Sequence, residues 1–315
     1  VTKQPPPRVG VRRWRRCGAG GGCRGQAPPA LRIGGEMIVA PDAPKRPALR
    51  YYGGKWKLAP WIISHFPEHK NYVEPCGGAA SVLLQKPRSP LETYNDLDGN
   101  VVNFFRVLRD KPDELIRKIK LTPWARAEYE LSLTMDGDDV ERARRFFVVS
   151  VMSFNGATDL ENGRYGWKIV KSGVSEAYKL YGKDFDLVVS RLRDVQIENR
   201  SALYVIRTYD SRDTLTYFDP PYVISSRCQD DGYALEWTEA DHAAAAELLR
   251  TCAGYVVVSG YACPLYADLY ERHGWQRVDT MATTNSGGKR VESLWLSPRT
   301  VDALAMPAQA ELFTP

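Results

Sequence analysis

Residues 71–86 read NYVEPCGGAASVLLQK. The opening NYVEP is a short apolar run that ends in an acid and a proline, the pattern of a strand leaving a sheet. Gly77-Gly78 follows as a turn, and 79–86 reads as the start of a helix. The next stretch repeats the rhythm. LETYND (91–96) is a second strand with an acidic end, and DGNVVNFFRVLRD (98–110) places apolar residues at 101, 102, 104, 105 and 108, the spacing of an amphipathic helix. Strand, glycine turn, helix, strand, helix is the signature of a parallel sheet.

The middle of the chain breaks that rhythm. Residues 111–153 carry three helical stretches, DELIRKIK, RAEYELSLTM and VERARRFFVVSVMSF (which runs on to Phe154), and the charges of Arg144 and Arg145 are expected to face solvent. Residues 154–183 look loop-like, and 184–194 is helical. The α/β alternation then returns: VQIEN (195–199), a helix over 201–207, TLTYFD (214–219), a helix over 239–252, YVVVSG (255–260), a helix over 264–274, and two strand-like runs at 275–283 and 290–298. The expected fold is α/β: one doubly wound sheet interrupted by a mainly helical insertion. No internal repeat is present.

The bulk composition is that of a globular protein, with 43% hydrophobic and 26% charged residues. No apolar run approaches the length of a membrane span, so no membrane partner is expected. The six cysteines form no CxxC pair, and the four histidines (65, 69, 242, 273) form no ligand pattern, so no metal site is expected. The formal charge of +5 is misleading. Eight of the basic residues lie in 1–36 against one acid, Glu36, which leaves 35 basic and 37 acidic residues in 37–315. Any nucleic-acid contact must therefore come from a local patch. Residues 1–36 are rich in Gly, Pro and Arg and are expected to be disordered. Met37 is expected to be the natural start, with 1–36 translated upstream sequence; a basic arm touching DNA is the other reading.

Glu74, Asp96 and Asp219 stand at three strand ends, where open parallel sheets bind ligands. Acids there also cap following helices, but three at one edge favour a site. The glycine loop after Glu74 meets neither the GxGxxG fingerprint nor the P-loop pattern. It is small enough for a flat adenosyl group to approach the backbone, and Asp96 stands where an acid would bond ribose hydroxyls. Asp219-Pro220-Pro221-Tyr222 is the sharper signal. Two prolines make a rigid turn without N–H donors. The turn presents a carboxylate, carbonyl oxygens and an aromatic ring together, a set suited to a planar base with an exocyclic amine.

Four stretches together, YYGGKWKLAPWI (51–62), YVEPCGGAASVLL (72–84), YNDLDGNVVNFFRVLRD (94–110) and YFDPPYV (217–223), resemble the DNA adenine methyltransferases of the Dam type, the D12 class of amino-methyltransferases. The likeness spans about residues 48–298 and keeps the family's motif order. It implies a Rossmann-like methyltransferase sheet, with a catalytic cofactor-binding domain in 37–110 and 190–315 and a target-recognition insertion in 111–189. It implies S-adenosyl-L-methionine held by Tyr51, Lys55, Glu74, Gly78, Asp96 and Asp219, and catalysis by Asp219, Pro220, Pro221 and Tyr222. Tyr51 stands where the family usually has Trp, Cys76 where it has Phe, and Ala80 where it often has Gly. The implied reaction is direct methyl transfer to N6 of an adenine flipped out of duplex DNA, without a metal or a covalent enzyme intermediate. A cytosine-N4 methyltransferase and a catalytically silent DNA-binding relative are the alternatives. Asp at 219, rather than the Ser commoner in cytosine enzymes, favours adenine.

Residues 162–183 interleave Arg164, Lys168, Lys171 and Lys179 with Tyr165, Trp167, Tyr178 and Tyr181. Such a mixture suits phosphate contact and base stacking, or a solvated surface with aromatics packed beneath. Lys289 and Arg290, in the Gly-rich stretch TNSGGKR (284–290), would clamp DNA or close a hairpin turn. The expected partner is double-stranded DNA, the expected state a monomer, and the expected location the bacterial cytoplasm, as a host or phage enzyme. Neither the target sequence nor an orphan as against a restriction-linked role is legible.

Overall fold

The computed structural model describes residues 39–153, 166–168, 184–226, 235–283 and 289–306. Seven strands form one sheet: β1 (Asn71–Glu74), β2 (Leu91–Asn95), β3 (Val195–Glu198), β4 (Thr214–Phe218), β5 (Tyr255–Gly260), β6 (Gln276–Thr283) and β7 (Lys289–Leu296). Their order is β3-β2-β1-β4-β5-β7-β6. The first five pair in parallel, and the β6–β7 hairpin adds to β5 antiparallel. From β1 the chain moves outward through β2 to β3, then returns to β4 and moves outward the other way. The strand order therefore reverses between β1 and β4, the place where a doubly wound sheet leaves a crevice. This is the Rossmann-like methyltransferase arrangement expected.

Both faces of the sheet are covered, which is why β4 and β5 are almost continuously buried. Leu215, Tyr217 and Val257 join the larger core; Phe218, Val256, Val258 and Trp295 join the other. The larger core extends into the helices after β2. Helix α1 (Ala59–Ile63) precedes the sheet. Helix α2 (Gly99–Asp110) starts at Asp98, whose carboxylate accepts from Asn100 N at 2.8 Å. Helices α3 (Pro112–Leu121), α4 (Arg126–Ser132) and α5 (Asp139–Met152) follow. Phe104 of α2 stacks on Phe147 of α5 at 6.3 Å, and Phe185, opening α6 (Phe185–Leu192), packs edge-on against Phe147. These helices between β2 and β3 thus share one continuous core with the sheet. On the second face lie α7 (Ala202–Tyr209), α8 (Glu239–Thr251) with a Thr238–Asp241 capping box, and α9 (Pro264–Leu269); α10 (Pro298–Ala305) closes the described chain.

Three local expectations are corrected. Residues 79–86 form successive turns rather than a helix. Gly78 (φ 47°) and Ala80 (φ 54°) both adopt left-handed backbone, which a right-handed helix cannot include. The helix expected to 274 ends at Leu269 and continues only as a 3₁₀ turn over Glu271–His273. Arg144 does not face solvent. It is 7% exposed and ion-paired to Glu128 at 2.6 Å and Glu141 at 2.5 Å, tying α4 to α5. Arg145 also turns inward, pairing with Glu141 at 3.1 Å.

A buried charge cluster fixes α6 to the sheet. Glu92 of β2 accepts from Lys86 Nζ at 2.6 Å and from both terminal nitrogens of Arg191 on α6, and all three side chains are nearly solvent-free. Removing the shared anion leaves two buried cations unpaired. Glu92→Leu should therefore cost about 3–5 kcal/mol in urea unfolding. Loss of the exposed Lys70–Asp213 pair by Lys70→Ala should stay within about 0.5 kcal/mol.

Candidate active site

The crevice at the strand-order reversal is a cleft of about 330 Å³. All six expected cofactor-binding residues (Tyr51, Lys55, Glu74, Gly78, Asp96 and Asp219) line it, as does Pro221. The loop between β1 and residue 86 forms its floor. A Cβ at Gly77 would stand 2.2 Å from the Tyr94 ring, and one at Gly78 would stand 3.0 Å from the Tyr51 ring. The backbone is held against aromatic faces at a distance only glycine allows. Gly77 is thus the tighter constraint, although Gly78 carried the sequence expectation.

Each strand-end acid is fixed differently. Glu74 accepts from the Tyr72 hydroxyl at 3.0 Å and from Leu83 N at 3.1 Å. Burial pushes its carboxyl up to about 8, against those hydrogen bonds. Asp96 accepts from Gly78 N at 2.8 Å and Asp98 N at 2.9 Å, and burial raises it to about 6. It thereby clamps the glycine loop as well as facing the cleft. Asp219 is bound on both oxygens, to Ser259 Oγ at 2.5 Å and Lys55 Nζ at 3.1 Å. Ser259 in turn accepts from the Tyr217 hydroxyl at 3.2 Å. Burial alone would lower the Lys55 pKa, but the Asp219 and Glu292 carboxylates outweigh it and hold the ammonium above its ordinary value.

Lys55 joins two halves of the site. It donates to Gly53 O at 2.8 Å and lies 4.5 Å from the centroid of the Tyr222 ring. Tyr222 is 3% exposed and does not line the cleft. Its hydroxyl donates to Glu292 at 3.1 Å, and its ring meets Tyr261 edge-to-face at 4.6 Å. Sequence reasoning missed Ser259, Tyr261, Glu292 and Trp237, the last another cleft-lining residue. Ser259 was within reach, since it ends β5 beside β4. Glu292 had no local signal.

Three of the six expected DNA-contacting residues can be placed. Arg164, Lys171 and Lys179 lie outside the described residues. Lys168 is half-buried, with its N–H donating to Met152 O at 2.9 Å. Trp167 is half-buried and packs against Trp124 and Tyr129. Lys289 is exposed at the start of β7. Arg290 lies with its guanidinium 3.7 Å from the Tyr261 centroid and donates to Ser226 O at 2.6 Å.

The cleft suits a small-molecule cofactor. Its volume is near the lower end for small-molecule sites, it offers acids at two strand ends beyond the glycine loop, and Ser81 Oγ is a buried lining group with no hydrogen-bond partner. Among the described residues no helix is long and apolar enough to cross a membrane.

Residues 51–284 match the model of the family described as D12 class N6 adenine-specific DNA methyltransferase. The Type II methyltransferase M1.LlaDCHI of Lactococcus lactis subsp. cremoris is 27% identical over 275 residues, covering 78% of this chain and 90% of that one. The DNA adenine methylase of Vibrio cholerae serotype O1 is 26% identical over 226 residues, covering 66% of this chain and 77% of the relative. That of Haemophilus influenzae is 26% identical over 235 residues, with coverages of 69% and 78%.

Two measurements bear on the cleft. An unfolded Glu releases its proton near the ordinary 4.5, whereas folded Glu74 holds it to about 8. The folded state therefore binds more protons between those values, and stability should fall as pH rises through the window. Glu74→Gln should flatten that fall in thermal melts from pH 5 to 8, leaving the smaller slope from Asp96 between 3.8 and about 6. Ala80→Gly should relieve the left-handed alanine and raise urea stability by about 1 kcal/mol.

Proposed function

The chain belongs to the family of D12 class N6 adenine-specific DNA methyltransferases, and from that premise we propose how its residues carry out methyl transfer to adenine in DNA. The observation that carries the reading is Asp219. Its carboxylate is held on both oxygens, by Lys55 and Ser259, at the junction between the cleft and Tyr222. A hydrogen-bond acceptor so fixed needs no reorganisation when charge develops beside it.

S-adenosyl-L-methionine, when bound, supplies an electrophilic methyl group. Tyr51, Gly78 and Asp96 would hold its adenosyl part, and Lys55, Glu74 and Asp219 border the rest of the cleft. The target adenine is taken out of the duplex, at a cost of a few kcal/mol. Tyr222, buried beneath Lys55 in the free chain, is uncovered to stack on it. Asp219 and the Pro220 carbonyl accept hydrogen bonds from the N6 amine and draw its lone pair out of conjugation with the ring. Pro220 and Pro221 fix the acceptors' geometry, because neither can rotate about φ. Catalysis is then positioning and electrostatics.

Target recognition is assigned to the insertion, 111–189, with Arg164, Lys168, Lys171 and Lys179 on phosphates and Lys289 and Arg290 approaching from the hairpin. Residues 37–110 and 190–315 form the catalytic part. The substrate is double-stranded DNA, the enzyme acts as a monomer, and it works in the bacterial cytoplasm where that DNA lies. Cytosine-N4 transfer is disfavoured by the family and by Asp at position 219.

Tritiated-methyl transfer to unmethylated DNA, followed by nucleoside separation, should yield N6-methyladenine. Asp219→Ala should reduce the rate by at least about a hundredfold while the far-UV spectrum stays that of the parent. Label in cytosine, or near-parental activity of that variant, would refute the assignment.

A further inference from the structure

One cluster adjoins Lys55 and Asp219 without lining the cleft. Glu292 stands on β7, opposite Thr280 of β6. It accepts from the Tyr222 hydroxyl, in the loop after β4, at 3.1 Å, and Tyr261, in the loop after β5, sets its ring edge-on against Tyr222. The two rings meet at 81°. Lys55 covers Tyr222, and Arg290, two residues before Glu292 on the same strand, covers Tyr261 and reaches Ser226 in the turn that follows Tyr222. Three elements distant in sequence thus converge on one half-buried carboxylate.

A tyrosine ring turns about two side-chain bonds. Fixing its hydroxyl removes the freedom that would let the ring tilt, and a second ring set edge-on blocks the remaining swing. The anion also helps keep Lys55 charged, and Lys55 is the group that orients Asp219.

We propose that Glu292 is a positioning residue for the methyl transfer: by accepting the Tyr222 hydroxyl, with the Tyr261 ring set edge-on beside it, it sets the tilt and depth of the Tyr222 ring against which the target base rests. This rests on the reading of Tyr222 as the stacking ring in an adenine methyltransferase. The bland alternative is that Glu292 only pins the hairpin to the sheet. That role would show in stability and would not single out turnover.

The test uses the full chain with tritiated S-adenosyl-L-methionine and unmethylated genomic DNA. Cofactor affinity is measured by calorimetry and the thermal midpoint is measured separately. Glu292→Ala should lower kcat about ten- to a hundredfold, the cost of misplacing a reacting group by about 1 Å, with cofactor Kd within about twofold of the parent. Glu292→Gln keeps an oxygen that accepts one hydroxyl and should recover most of the loss. Tyr222→Phe keeps the ring but removes the hydroxyl that Glu292 accepts, and should lose turnover severalfold; it carries the test if the alanine variant does not fold. A Glu292→Ala enzyme with parental kcat on adenine overturns the role alone. So does a set of variants in which kcat, cofactor affinity and midpoint fall together. A parent chain that methylates cytosine, or no base, overturns the reading beneath it and the role with it.

Discussion

Lys55 is the counterion on which the site depends. Three carboxyl groups from three strand ends crowd one cleft, and a fourth, Glu292, approaches from the hairpin. Like charges so close cannot all be kept ionised in a buried setting without a cation. Lys55 resolves this selectively. It pairs directly with Asp219, while Glu74 and Asp96, held by backbone and hydroxyl donors, are pushed up to about 8 and about 6. The result is a division of labour among chemically similar residues. One stays beside a fixed cation and a serine hydroxyl, and the other two work largely as acceptors that shape the glycine loop. The same ammonium lies over the Tyr222 ring, so the cleft and the tyrosine beside it are electrostatically one site.

The strand-order reversal explains why these groups meet at all. Glu74 ends β1 and Asp219 follows β4, and those neighbours in the sheet are 145 positions apart in the chain. A sequence pattern of apolar runs ending in acids is sufficient to see this, because a parallel sheet places every carboxyl end on one edge. That is why the cleft acids Glu74, Asp96 and Asp219 were legible, together with the α/β architecture and the helical interruption, whereas Tyr51 and Lys55 were reached only through the family resemblance.

What was not legible has physical reasons. Residues 79–86 have helix-forming composition, but Gly78 and Ala80 take left-handed conformations to bring the loop against Tyr51 and Tyr94, and tertiary contact overrode local propensity. Arg144 looked like a surface charge because its partners Glu128 and Glu141 come from one neighbouring helix and from its own preceding turn. Ser259 was hidden inside an apolar strand reading, although the carboxyl-end rule covers it. Glu292 lies on an antiparallel strand, where no end-of-strand rule applies and only the return of the hairpin decides what it faces.

That hairpin carries a restriction on how the enzyme can change. Along β7, Arg290 and Glu292 serve the tyrosines while Trp295 fills the second core, and in an extended strand alternate residues occupy opposite faces. Shifting the strand by a single position would present Val291 to the tyrosines and withdraw Trp295 from its packing. Length variation within β7 itself is therefore excluded among descendants of this chain. An engineer exchanging hairpins between relatives should align them on the tryptophan and not on the loop.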